Sequence, residues 1–187
     1  TNDLVMGTHG RGIIIIDDVS PLRQISAEIM AKPLTFMEMK PFEMNEESSF
    51  GGTSSETQFV GENPSTNARI TYFLAKRHTF GKMTMEVQDM EGNFITKLTP
   101  GKKKGINIVQ WAFRSSAPKV AKGKTFSRGG MTAPRVAAGR YKVIIKKGKE
   151  SFETFIEVAY PKTSVFSLEE REKQFKVSKM LFDMNEE

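Results

Sequence analysis

MTMEVQDMEGNFITKLTPGKKKGINIVQWAF, residues 83–113, reads as three strands and two turns. Met83, Met85 and Val87 alternate with polar residues, which puts them on one face of a half-buried strand. Asp89-Met90-Glu91-Gly92-Asn93 then supplies turn chemistry, with Gly92 at the position that asks for positive φ. Phe94 to Leu98 forms the next strand and Pro100 to Gly105 the next turn, after which Val109, Trp111 and Phe113 alternate again. The same period continues on either side. Ile70, Tyr72 and Leu74 share a face before this stretch; Tyr141, Val143 and Ile145 share one after it, and Lys147-Gly148-Lys149 closes a hairpin onto Phe152, Thr154, Ile156 and Val158. Short strands joined by turns, with no helix between them, predict an antiparallel β-sandwich of immunoglobulin or fibronectin-III type over residues 57–161.

Outside that unit the texture changes. Residues 1–44 form an N-terminal extension that contains strands of its own. Leu4 to Met6 is one, and Ile13-Ile14-Ile15-Ile16 is another. A β-branched run bounded by Gly12 and Asp17-Asp18 reads as a strand buried on both faces. Ser20-Pro21 reads as an N-cap followed by proline at the first helical position, opening a short helix that Pro33 ends. Leu34 to Met39 offers a further strand. Residues 45–56 are rich in Ser, Gly and Glu and read as a linker, and residues 114–134 read as a long loop. In residues 162–187, Ser167-Leu168-Glu169-Glu170 is a capping box, and Leu168, Phe175 and Met180-Leu181-Phe182 recur at helical spacing, predicting a C-terminal α-helix from about 168 to 184.

Composition narrows the chemistry. A chain of 187 residues, 38% hydrophobic and 27% charged, has material for one core of ordinary size. No run approaches the ~18 apolar residues of a membrane span, so no insertion is expected. The chain opens at Thr1 without a leader and reads as a segment of a longer protein. Cysteine is absent, which removes disulfides, thiolate catalysis and cysteine-held zinc. The net charge of +6 gathers at Lys102-Lys103-Lys104 and Lys146-Lys147-Gly148-Lys149, both beside turns. These read as solvated hairpin ends, and no nucleic-acid partner is expected.

Candidate reactive groups are few. Gly7-x-x-Gly10-x-Gly12 resembles a phosphate loop in spacing, but a strand follows it where a helix N-terminus would have to. His9 and Arg11 are the reactive pair of that stretch, and the only other histidine is His78. Asp17 and Asp18 are adjacent at a strand end, where side chains diverge, whereas glycoside hydrolysis needs two acids facing a cleft. Asp89, Glu91 and Asn93 alternate like calcium ligands, yet the glycine falls one place early and a turn accounts for them. Trp111, the single tryptophan, reads as core between Val109 and Phe113, with a sugar-stacking platform as the alternative. No catalytic residue, metal or cofactor is assigned.

Two segments carry a resemblance. Residues 83–113, followed by Ala138-Gly139-Arg140-Tyr141-Lys142-Val143, resemble the immunoglobulin-like domain of the flagellar hook-capping protein. Asp89, Gly92, Gly105, Asn107, Trp111, Gly139 and Tyr141 fall in that family's order, and Ala112 replaces its usual Asp. The N-terminal Gly7-Thr8-His9-Gly10-Arg11-Gly12, with Asp17-Asp18-Val19-Ser20-Pro21-Leu22-Arg23, resembles the last propeller strand and exit of bacterial sortilin-like proteins. Those carry bacterial-neuraminidase repeats and are often labelled glycosyl hydrolases.

The resemblance implies a large exported protein, extracellular or periplasmic, in which a β-propeller holds any active site and this module follows it. The expected role is then non-catalytic: a structural or interaction module with the propeller as its partner in the same chain. A carbohydrate-binding module using Trp111 or the 114–134 loop is one alternative. A glycosidase fragment contributing His9, Arg11 and Asp17, with Asp18 beside them, is another. Unpaired apolar segments at 13–16 and in the C-terminal helix further predict association between copies.

Overall fold

The computed structural model describes residues 2–44, 66–118 and 133–186. The expected linker at 45–56 and residues 119–132 of the long loop lie outside them. The chain is mainly β. Strands β1 (Leu4–Gly7) and β2 (Ile13–Ile16) lead to the short helices α1 (Ser20–Arg23) and α2 (Ala27–Ala31). Then follow β3 (Leu34–Phe36), β4 (Phe42–Glu43), β5 (Ala68–Leu74), β6 (Met83–Gln88), β7 (Phe94–Leu98), β8 (Gly105–Trp111), β9 (Gly139–Lys147), β10 (Glu150–Ala159) and α3 (Leu168–Glu186).

Two sheets form the sandwich. One orders its strands β4-β10-β9-β6-β7 and the other β3-β5-β8, antiparallel throughout except that β4 runs parallel to β10. Their facing side chains make one core. Ile70, Tyr72, Leu74 and Trp111 from the smaller sheet meet Met85, Val87, Val143, Ile145, Ile156 and Val158 from the larger. These are the residues whose period-2 alternation marks an inner face, so the fold class is the immunoglobulin-type sandwich that the alternation predicts. Along β6, and from Tyr141 to Ile145 on β9, the alternation is strict, buried residues taking turns with half-exposed ones. The outer face carries ordinary ion pairs, Lys142–Glu153 at 3.5 Å and Lys146–Glu86 at 3.8 Å.

Three expectations need correction. The sandwich takes in strands from before residue 57: Leu34–Phe36 pairs with β5, and Phe42–Glu43 with β10. Strands of two or three residues carry too little alternation to be assigned to a sheet from sequence. Next, Ser20 is the first helical residue of α1 and Val19 its cap, because the Asp18 carboxylate accepts from the Ser20 amide at 3.1 Å. Last, Ile13–Ile16 is a strand but is exposed in this chain. Among the described residues it pairs only with β1, and Ile13 and Ile15 are 73% and 60% exposed.

At the far end the capping box forms as the spacing predicts. The Ser167 amide donates to Glu170 Oε2 at 2.7 Å, while the Glu170 amide donates to Ser167 Oγ at 3.3 Å. Helix α3 runs two residues past the expected end. No described helix is long and apolar enough to cross a membrane.

Candidate functional site

The seven motif residues divide into a turn, a knot and a corner, each of them structural. Asp89 closes the β6–β7 turn: its Oδ1 accepts from the Asn93 amide at 2.7 Å and its Oδ2 from Asn93 Nδ2 at 2.8 Å. Gly92 supplies φ +89 there. Burial opposes ionisation of Asp89, but the hydrogen bonds from Asn93 outweigh it and hold the carboxyl below its usual range. Both oxygens are committed to the turn, so the alternation that resembled calcium ligands is turn chemistry.

Asn107, buried on β8, ties the β7–β8 loop. Its amide nitrogen donates to the carbonyls of Lys103 (2.7 Å) and Gly105 (3.0 Å), and its oxygen accepts from the Lys103 amide. Gly101 lies against this side chain. A β-carbon there would overlap Asn107 Oδ1 and stand 3.0 Å from its Cγ, so the site admits only glycine without movement. The Gly101 carbonyl in turn accepts from the Tyr72 hydroxyl. Gly101 is the residue sequence reasoning missed. The available signal was an Asn, a poor strand former, at an inward strand position shortly after a Pro-Gly pair.

The corner joins the sheets. Tyr141, two residues after Gly139 on β9, donates from its hydroxyl to Ala137 O at 2.7 Å, a tyrosine corner. Burial pushes the phenol up to about 12. Trp111 is 2% exposed, and its Nε1 donates to Arg114 O at 2.9 Å. Its ring therefore belongs to the core, and the sugar-stacking alternative loses its aromatic platform.

The N-terminal candidates are not brought together. His9 and Arg11 lie in the exposed loop that joins β1 to β2, a turn held by the Thr8 amide donating to Gly12 O at 2.8 Å. Asp17 lies at the other end of β2, six residues from Arg11, or roughly 20 Å along an extended strand. A glycosidase pair needs about 5–10 Å. Asp18 serves structure: the Ser20 hydroxyl and amide, with Arg69 and Lys40 nearby, hold its carboxyl below the usual range. The Asp18 amide donates to Asp3 Oδ1, which fixes the exit of the hairpin.

Two further surfaces bear on the candidates. A cleft of about 410 Å³ between the sandwich and α3 is lined by Arg114, Arg135, Tyr160, Phe166, Arg171 and Gln174. Its arginines are engaged in holding parts of the chain together. Arg114 Nη1 donates to Ala133 O at 2.7 Å, and the Arg171 guanidinium stacks 4.6 Å over the Phe166 ring. The other surface is the β1–β2 hairpin. Leu4, Val5, Met6 and all four isoleucines are 38–73% exposed. Register places Leu4, Met6, Ile14 and Ile16 on one face and Val5, Ile13 and Ile15 on the other, so both faces are apolar. Comparison with protein-family models finds none that matches the chain, and comparisons with curated proteins and with solved structures find no match either.

Proposed function

We propose that this chain is a non-catalytic accessory module that braces a β-propeller preceding it in a large exported parent protein. The observation that carries the reading is the hairpin. A two-stranded ribbon is marginal alone in water, and one with seven exposed apolar side chains and no further strand paired to it among the described residues suits a place in a larger sheet. A propeller blade, a four-stranded sheet packed on both faces, supplies the missing strands and covers both sides. The sandwich is then the body behind the blade, and the bonds from Asn2 to Ser20 and from Asp18 to Asp3 tie the two ends of the hairpin together where the chain enters α1.

The reading is tested by amide hydrogen exchange on the chain alone and on the chain mixed with the propeller segment of its parent. Both strands of the hairpin should gain strong protection in the mixture while the sandwich is unchanged. A hairpin that exchanges equally fast in both samples would overturn the proposal.

A further inference from the structure

One end of the sandwich collects three loops that are far apart in sequence. Residues 75–82 join β5 to β6, residues 99–104 join β7 to β8, and Gly148 and Lys149 turn β9 into β10. Pairing shows that they share an end: Leu74 lies opposite Gly105, and Met83 opposite Lys147. The loops also touch. The His78 amide donates to Lys102 O at 3.0 Å, and the Gly148 amide to Lys82 O at 3.4 Å.

What they carry is positive charge. The first loop brings Lys76, Arg77 and Lys82, the second Lys102, Lys103 and Lys104, and the third Lys149, all exposed. The neighbouring Lys146 and Lys147 have carboxylate partners in Glu86 and Glu150, but these seven pair with none among the described residues. These seven are a quarter of the chain's 28 lysines and arginines. Within this end stands Phe80, 89% exposed, the most exposed large apolar side chain among the described residues.

From this arrangement we infer that the loop end of the sandwich is a docking surface for an anionic lipid bilayer, with Phe80 entering the interface. Six of the seven cations are lysines, strongly hydrated point charges without the planar fork that reads a single phosphate or carboxylate. Spread over three loop tips, they suit a diffuse sheet of charge. A lone exposed Phe gains by leaving water only where an apolar layer lies beneath the anions, and a bilayer offers both in that order. A nucleic acid would call for a groove with several stacking rings. The surface is separate from the β1–β2 hairpin, and the inference does not depend on the propeller reading.

The test is flotation of the full chain with vesicles of phosphatidylglycerol and phosphatidylcholine in equal parts, beside vesicles of phosphatidylcholine alone. At about 0.1 M salt, where screening still leaves ~10 Å of reach, the chain should float with the first and not the second. Replacing Lys102, Lys103 and Lys104 by Gln should lower partitioning by roughly 100-fold. Phe80→Ala should lower it about tenfold, since the aromatic ring no longer leaves water. Both variants change exposed side chains, so melting beside the unaltered chain serves as the folding control. The inference is overturned if the chain does not float, if Phe80→Ala floats as well as the unaltered chain, or if a DNA duplex or a sulfated polysaccharide binds more tightly than the vesicles.

Discussion

The Trp111 and Tyr141 rings meet edge to face across the two sheets, 5.4 Å between centroids at 71°, and each gives its one polar hydrogen to a backbone carbonyl. The pair thereby fixes the distance between the sheets, the chain just after β8 at Arg114 and the chain just before β9 at Ala137.

Trp111→Ala should cost roughly 3–5 kcal/mol, from the cavity left by a large buried ring. Chemical denaturation measures this directly. Trp111→Phe, which keeps much of the volume but removes the Nε1 hydrogen bond to Arg114 O, should cost less. The single tryptophan should also emit at short wavelength and respond to no glycan.

Gly101→Ala should destabilise the chain by about 1–3 kcal/mol, the range for overpacking. The clash is with Asn107, so the cost should shrink in an Asn107→Ala background. A double-mutant cycle with no coupling would show that the two side chains do not meet.

Tyr72 and Tyr141 give the chain an alkaline limit. Burial raises both phenols to about 12, whereas the unfolded chain ionises near 10. A raised folded value means their contribution is complete below about pH 10 and is lost as pH rises towards 12. Denaturation midpoints should fall across that window. They should fall less in Tyr72→Phe/Tyr141→Phe, which starts from a lower stability because two hydrogen bonds are gone.

Helix α3 depends on its first turn. The Ser167 amide and hydroxyl hold the Glu170 carboxyl below its usual range. The folded value is depressed, so the box stabilises above the unfolded pKa of about 4.5 and weakens as pH falls through the folded one. Circular dichroism should show helix lost on acidification before the sheets unfold, and Ser167→Ala should show part of that loss at neutral pH.

Without a partner for its hairpin, the chain should associate with itself at high micromolar concentration. Light scattering beside a version lacking residues 1–19 checks this. The truncated chain should be monomeric with the sandwich intact, since β1 and β2 pair with each other and with no strand of either sheet.

What could be read from the sequence was what is local. Met83, Met85 and Val87 declare an inner face because alternation in one strand reports one surface, and the capping box at Ser167 is complete within four residues. The isoleucines at 13–16 declared that both faces seek cover, but no pattern within the run states whether this chain provides it. The sheet membership of β3 and β4 was out of reach because it depends on pairing with residues 74 and 158. The candidate surfaces were harder still. Lys102–Lys104 and Lys149 read separately as solvated turns, and only the strand register brings them beside Phe80.

The parallel pairing of β4 with β10 also has a mechanical meaning. The chain enters β4 from β3, whose pairing with β5 carries load first, and leaves β10 towards α3, with Val158 opposite Phe42 and the Met44 amide bonded to Ala159 O at 2.8 Å. Tension between the two ends of the molecule draws these strands past each other lengthwise. Their bonds are then strained together, whereas an antiparallel hairpin pulled from its open end gives way one rung at a time. A strand of two residues, with Phe42 packed against the core, thus places its bonds to β10 in shear when the two ends of the chain are drawn apart.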